Sequence, residues 1–280
     1  MTTPIKILKK YRIHPAKRFG QCFLIDGNVM EKIVGAADIG ENDTVVEIGA
    51  GIGVMTGMLA QRARFVQALD IDPRMIDVLN AELLRHDNVS VLQCDILNYN
   101  FNDITAHGLI TIVGNIPYNI SSQIFFHLLN FRKRISKMVL MFQKEVGERI
   151  IAQPGTKDYG IMSVVGGLYT EARKVTTVSP GCFTPPPKVE SVVLKFAMRK
   201  APLYPVADED LFVAVVKTAF GKRRKTIMNN LKFSPVVQGM TADIGDVLNE
   251  VSIHGGRRGE TLSTEEFVSL TNALYRRQNA

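Results

Sequence analysis

The chain has 280 residues, is 46% hydrophobic and carries no tryptophan, a length and balance that suit one large soluble domain with a second, smaller one. No apolar run approaches the roughly 20 residues of a membrane span, and three widely spaced cysteines (Cys22, Cys94, Cys182) argue against a disulfide framework or zinc site and fit a reducing, cytoplasmic setting. The net charge of +7 is unevenly spread: between Asp38 and Ile110 eleven acids face only four bases (Arg62, Arg64, Arg74, Arg85), while the basic runs lie on either side. An acidic middle with basic flanks suits a protein that holds a cation inside and meets a polyanion outside.

In chain order, residues 1–18 are basic, and the first acid is Asp26. They read as an arm that contacts phosphates, with Lys17 and Arg18 at its end. Asp26 is an N-cap for a helix over 28–37. Strands then alternate with helices: strands at 44–48, 65–69, 89–93, 109–113 and 138–142, separated by helical stretches of 10–15 residues. This pattern predicts a mostly parallel, doubly wound sheet. Later β-rich runs at 173–179 and 191–197 predict an antiparallel edge. Phe183-Thr184-Pro185-Pro186-Pro187-Lys188-Val189 lies between them and reads as a stiff exposed loop, since three prolines do not fit a central strand. A proline-bearing boundary over 198–210 leads into helical periodicity at 208–220, 222–231, 240–249 and 263–276. The last of these opens on Ser263-Thr264-Glu265-Glu266, which has capping-box spacing.

The strand at 109–113 runs straight into Gly114-Asn115-Ile116-Pro117-Tyr118. Ligands of open α/β sheets bind at the carboxyl ends of the strands, so this turn points at a site. The Asn115 amide oxygen and a carbonyl of the proline turn are two acceptors that together hold a planar exocyclic amine. Tyr118 adds a flat face for a base. The same residues also suit an ordinary strand-to-helix turn, and the rest of the chain decides between the two.

Gly49-Ala50-Gly51-Ile52-Gly53 is a glycine loop between a strand and a helix, with Asp70 and Asp95 at the next two strand ends. A dinucleotide GxGxxG read from Gly49 requires glycine at position 54, where Val54 stands, and no GxxxxGK[ST] is present. An acidic strand end beside these glycines fits a ligand with a positive, phosphate-free tail, and S-adenosylmethionine is such a ligand. In this reading Asp70 holds the ribose and Asp95 accepts from the adenine amine. No metal site is indicated.

The glycine loop, the two acids and Asn115-Ile116-Pro117-Tyr118, in that order, resemble an amino-directed methyltransferase. Gly20-Gln21-Cys22-Phe23-Leu24, the 183–191 proline motif and Arg223-Arg224-Lys225-Thr226 narrow the resemblance to the KsgA-type small-subunit ribosomal RNA adenine dimethyltransferases. The match runs from about Lys17 to Phe267. It implies an α/β, Rossmann-like S-adenosylmethionine-dependent methyltransferase sheet with a small C-terminal all-helical domain. The expected division is a basic arm and cofactor-closing motif over 1–25, a catalytic domain over 26–198 and a helical RNA-contacting domain over 199–280.

The implied reaction is N6,N6-dimethylation of two adjacent adenosines in a hairpin loop near the 3′ end of small-subunit ribosomal RNA, coupled to subunit biogenesis. Carried over by motif, Gly49, Gly51, Asp70, Asp95 and Asn115 hold the cofactor, and Gln21, Cys22 and Leu24 close over its methionine end. Asn115 and Pro117 hold the amine, and Tyr118 and Phe183 sandwich the base. Lys17, Arg18, Lys222, Arg223, Arg224 and Lys225 meet RNA. The family usually has Asn or His at the Cys22 position; the change is silent if that contact is made by backbone and costly if made by side chain. The alternative carried beside this one is an RNA-binding ribosome-assembly factor, monomeric in either case, whose methylation is secondary. A mitochondrial transcription factor and a macrolide-resistance relative acting on large-subunit RNA fit less well.

Overall fold

The structure, a computed structural model, describes residues 3–16, 19–105, 108–238 and 243–279. Its elements in chain order are α1 (Pro4–Lys10), β1 (Phe23–Leu24), α2 (Gly27–Ala37), β2 (Thr44–Ile48), α3 (Val54–Ala60), β3 (Phe65–Asp70), α4 (Pro73–Glu82), β4 (Val89–Gln93), β5 (Ile110–Asn115), α5 (Ser121–Asn130), β6 (Ile135–Gln143), α6 (Lys144–Ile150), α7 (Ile161–Tyr169), β7 (Thr170–Val178), β8 (Phe183–Thr184), β9 (Ser191–Met198), α8 (Glu209–Gly221), α9 (Ile227–Leu231), α10 (Ile244–Glu250) and α11 (Thr264–Gln278). They form two compact units, residues 1–147 with 172–198 and residues 148–171 with 199–280.

The first unit is built on a seven-stranded sheet of order β4-β3-β2-β5-β6-β9-β7. Strands β4 to β6 run parallel, and β9 is antiparallel to β6. Every residue of β2 is buried, as expected of a central parallel strand covered on both faces. The chain leaves β2 outward to β3 and β4, then returns to β5 on the other side of β2. That reversal is the topological switch point where open sheets place their ligands. The register sharpens it: Ile48 pairs with both Leu69 and Gly114, so Gly49, Asp70 and Asn115 emerge level at one edge. Gly114 is required there, because a Cβ on it would lie 2.8 Å from the Ile48 carbonyl oxygen.

Local signals read from the sequence set several helix starts. The Asp26 carboxylate accepts from the Val29 N–H at 3.0 Å to cap α2. The Asp72 carboxylate accepts from the Arg74 N–H at 3.1 Å ahead of Pro73 in α4. Ser263 and Glu266 cap α11 reciprocally at 3.1 and 2.8 Å.

The second unit packs Phe212 and Val216 of α8, Ile227 and Leu231 of α9, and Phe267, Leu270 and Leu274 of α11 into one core. Residues 148–171, expected in the catalytic domain, belong to this unit. Helix α7 (Ile-Met-Ser-Val-Val-Gly-Gly-Leu-Tyr) carries apolar residues on every side and must be covered, and α8 and α11 pack on it. The Arg199 and Leu203 N–H groups donate to the Tyr169 and Leu168 carbonyls at 2.9 Å each.

Three other expectations change. The described residues of the 1–25 segment pack down rather than stand free: α1 seats Ile7 against Phe23, Ile52, Met75 and Val78, and Glu82 accepts from Lys10 at 2.6 Å and from the Tyr11 hydroxyl at 2.8 Å. The helix expected over 222–231 begins only at Ile227, with Thr226 as its cap, because residues 222–225 close a turn with the Lys225 N–H on the Lys222 carbonyl at 2.8 Å. The helix expected from Met240 begins at Ile244, and Met240 lies outside the described residues. Among the described residues no helix is long and apolar enough to cross a membrane.

Candidate active site

A cleft opens at the level carboxyl ends of β2, β3 and β5, lined by the glycine loop, the 19–24 segment and the 115–118 turn. The loop needs its glycines. Gly49, Gly51 and Gly53 have φ of +71°, +56° and +79°, a region that side chains disfavour. The Gly51 N–H donates to Asp70 Oδ2 at 2.8 Å, and the Asp72 N–H donates to Oδ1 at 2.9 Å. Asp70 therefore holds the loop itself and also lines the cleft. Burial pushes its carboxyl above the usual range, although these two backbone bonds oppose the shift. Asp95 also lines the cleft and caps its own turn, with Oδ1 accepting from the Leu97 N–H at 3.0 Å.

The acceptor pair is set by Asn115. Its Nδ2 donates to the Cys22 carbonyl at 3.1 Å, which fixes the amide orientation and leaves Oδ1 unclaimed among the described residues. The other expected acceptor is a carbonyl of the proline turn, and the Pro117 carbonyl takes the Ile120 N–H at 3.3 Å in its own turn. The Ile116 carbonyl receives no hydrogen bond among the described residues, and Ile116 lines the cleft. Of the two carbonyls of the proline turn, that of Ile116 is thus the open one, and Pro117 contributes its ring and a φ of −57°. Cys22 acts on Asn115 through backbone, so the departure from Asn or His at this position leaves that hydrogen bond intact. Burial raises the Cys22 thiol pKa, which keeps it protonated and uncharged at neutral pH.

Tyr118 lines the cleft, and its hydroxyl meets Ser191 Oγ at 2.6 Å. Burial pushes its phenol up to about 12, so the ring stays neutral. Phe183 does not join it. Phe183 is 3% exposed, pairs with Leu24 across the β8–β1 ribbon and packs into the core of the first unit. An apolar ring gains more there than at a cleft rim, so the expected sandwich keeps only its Tyr118 face in this structure.

Gln21 is held at both ends of its amide, with Nε2 on Asp72 at 2.9 Å and Oε1 accepting from the Ala16 N–H at 2.8 Å. Asp72 is fully buried and meets the Arg74 guanidinium at 2.5 Å. The Arg74 and Gln21 donors hold its carboxyl below the usual range against its burial. This group ties the 14–21 segment to the start of α4, since Arg74 also donates to the His14 carbonyl at 3.1 Å. Sequence reading saw in this stretch only the helix start at Pro73. Ser191 had no signal at all beyond its place in the proline motif.

The cleft has one further acid. Glu47, 1% exposed, precedes the glycine loop, and its Oε2 has no hydrogen-bond partner. Burial, with Asp70 nearby, pushes its carboxyl up to about 8. Glu47, Asp70 and Asp95 line the cleft with no Lys, Arg or His beside them among the described residues. That donor set rejects a pyrophosphate and fits S-adenosylmethionine: acceptors for ribose hydroxyls and an adenine amine, an orphaned carboxyl for an ammonium, and a bare backbone loop for close approach. Among the described residues no three His, Cys, Asp or Glu side chains cluster as metal ligands.

Of the basic residues singled out, Lys17 and Arg18 lie outside the described residues. Lys222, Arg223, Arg224 and Lys225 are all exposed in the turn between α8 and α9. Arg223 is tied down, with Nε on Glu260 at 3.3 Å and Nη2 donating to the Lys157 carbonyl. No ion pair among the described residues engages the other three.

A sequence profile described as ribosomal RNA adenine dimethylase matches residues 14–270. The chain is 46% identical to a ribosomal RNA small subunit methyltransferase A from Syntrophus aciditrophicus, over 98% of this chain and 99% of that one. It is 41% identical to the protein of the same name from Bacillus mycoides, over 96% and 94%. Among solved structures it is similar to a dimethyladenosine transferase from Plasmodium falciparum, with TM-score 0.80 and 27% identity over 90% of this chain and 97% of that one. It is also similar to the 23S ribosomal RNA methyltransferase ErmE, with TM-score 0.68 and 27% identity over 90% and 99%.

Proposed function

The chain belongs to the ribosomal RNA adenine dimethylase family, whose S-adenosylmethionine-dependent activity is dimethylation of adenine in ribosomal RNA, and we propose that it acts on the small subunit. The substrate in this reading is two adjacent adenosines in a hairpin loop near the 3′ end of that RNA, in a particle still being assembled. The enzyme works as a monomer in the cytoplasm. The identity of 46% to a protein named for the small subunit, against 27% to one named for 23S RNA, supports that choice.

One observation carries the chemical reading: the unclaimed Asn115 Oδ1 stands beside a cleft with three acids and no cation. The bound cofactor supplies an electrophilic methyl group. Asp70 and Asp95 would hold its ribose and adenine, the Gly49 and Gly51 backbone would allow its close approach, and the unpartnered Glu47 Oε2 would accept from its ammonium. Gln21, Cys22 and Leu24 wall the cleft nearby. An adenine N6 lone pair is delocalised into the ring, so the amine is a weak nucleophile. Asn115 Oδ1 and the Ile116 carbonyl accept its two hydrogens, which orients the nitrogen and favours a pyramidal geometry. Tyr118 offers a stacking face worth ~1–3 kcal/mol, offsetting the few kcal/mol needed to unstack the base. No strong general base is required, and positioning and electrostatics supply most of the acceleration. Lys222, Arg224 and Lys225 neutralise phosphates, joined in this reading by Lys17 and Arg18.

Transfer of labelled methyl to small subunits isolated unmethylated, with large subunits as control, tests the proposal. The expected product is N6,N6-dimethyladenosine in small-subunit RNA alone. Label confined to large subunits overturns the substrate, and no label on either overturns the reaction.

A further inference from the structure

Phe233 follows α9 in the second unit and is 88% exposed. It is the one exposed residue among the chain's 14 phenylalanines. Single exposed apolar residues are ordinary on protein surfaces, but the setting of this one is not neutral. Residues 211–242 contain Lys217, Lys222, Arg223, Arg224, Lys225 and Lys232 and no Asp or Glu. Lys232 Nζ stands 5.8 Å from the Phe233 ring centroid.

The ring is also mounted rather than loose. Ile227 and Leu231 anchor α9 with no exposed surface, and the Lys232 N–H donates to the Met228 carbonyl at 3.0 Å. Directly after Phe233, both the Ser234 N–H and its hydroxyl return to the Leu231 carbonyl, at 2.9 and 2.8 Å. Seven residues, Thr226 to Lys232, separate the basic turn from the ring, five of them in α9, so Lys225 and Phe233 are about 12 Å apart along the chain at a helical 1.5 Å per residue. That is roughly three to four steps of a nucleic-acid strand at 3.4 Å each, so one short stretch of RNA spans both.

We propose that Phe233 is a stacking platform for an unpaired nucleobase of the ribosomal RNA. This base is distinct from the adenine that enters the catalytic cleft, and Lys232 and the 222–225 turn hold its flanking phosphates. The proposal rests on the reading that RNA is the substrate. Cationic side chains beside an exposed aromatic are the two parts that single-stranded nucleic acid requires, charge for the backbone and a flat face for a base. An acidic protein surface would satisfy the same cations, but would give the ring only an apolar contact that any large aliphatic side chain replaces.

The test uses the full chain and unmethylated small subunits, comparing wild type with Phe233→Ala, Phe233→Leu and Phe233→Trp. Phe233→Ala weakens subunit binding about tenfold, within the range for one lost stack, and the loss falls on KM rather than kcat. The salt dependence of binding keeps its slope, because no cation is removed. Phe233→Leu does not restore affinity. Phe233→Trp does, and as the sole tryptophan in the chain its emission is quenched on binding. Wild-type affinity in Phe233→Ala, or full rescue by leucine, overturns the proposal, as does a tryptophan whose emission is unmoved by bound subunits. Failure of the wild type to bind or methylate small subunits refutes the substrate reading instead.

Discussion

The catalytic cleft and the 211–242 stretch have opposite chemistry. The cleft presents three acids and no base among its described lining residues, whereas 211–242 presents six bases and no acid. The cleft is formed at the switch point of a parallel sheet, with Glu47 and Asp70 both less than a tenth exposed. The basic stretch displays four consecutive exposed cations on a turn. A small cationic cofactor and a polyanionic substrate require opposite potentials, and in the proposed reading the chain meets both needs by placing them on separate units. A single mixed-charge site would weaken each ligand's field with the other's.

The strongest test of this division is Asn115→Ala. It removes an acceptor from the target amine and is expected to lower methyl transfer at least about 100-fold, by analogy with loss of one preorganised polar group. Subunit binding stays within a few-fold in equilibrium assays. Full transfer by this variant breaks the assigned mechanism. Next in size is the Lys222→Ala, Arg224→Ala, Lys225→Ala triple, which spares Arg223 because that side chain holds Glu260 and Lys157. Three phosphate contacts at ~0.7 each lower the salt slope of subunit binding by about 2, with cofactor affinity unmoved. An unchanged slope would place RNA elsewhere.

A smaller effect comes from the hydroxyl pair Tyr118–Ser191. Tyr118→Phe and Ser191→Ala each break the same 2.6 Å bond and are expected to lower kcat several-fold, at about 1 kcal/mol for one hydrogen bond. The double variant is no worse than either single one if the bond is their shared contribution. Full additivity of the two losses would contradict that coupling.

A separate expectation concerns stability, read as a pH dependence rather than as a rate. Glu47 titrates near 8 in the fold against a usual 4.5. As pH rises from 4.5 to 8 the unfolded chain gives up this proton while the folded one keeps it, so this group's contribution to stability falls across that window and levels off above it. Glu47→Gln abolishes that slope, and its Tm relative to wild type climbs between pH 5 and 8 in cofactor-free enzyme. A constant difference across that range would show that Glu47 is ionised in the fold.

Much of this was legible in the sequence where local chemistry dictates the outcome. Strand–helix alternation, the caps at Asp26 and Ser263, and the strand-end positions of Gly49, Asp70 and Asn115 all follow from short-range pattern plus the rules of parallel sheets. What escaped depends on contacts distant in sequence. Helix α7 looked like part of the first domain because its membership is decided by α8 and α11, more than 40 residues away. Phe183 and Leu24 pair across a two-stranded ribbon too short to leave a periodicity. Which carbonyl of the proline turn stays open was not legible, because capture of the Pro117 carbonyl by the Ile120 N–H is a property of the folded turn. Ser191 lies 73 residues from Tyr118, and nothing local marks it as that ring's partner.

The central claim is tested most directly by measuring, in one preparation, the salt dependence of affinity for S-adenosylmethionine and for unmethylated small subunits. The account predicts a steep fall with salt for the subunits and an almost flat line for the cofactor, whose buried contacts are little screened. Equal slopes for the two ligands, or a flat line for the subunits, would contradict the division of labour between the acidic cleft and the basic stretch.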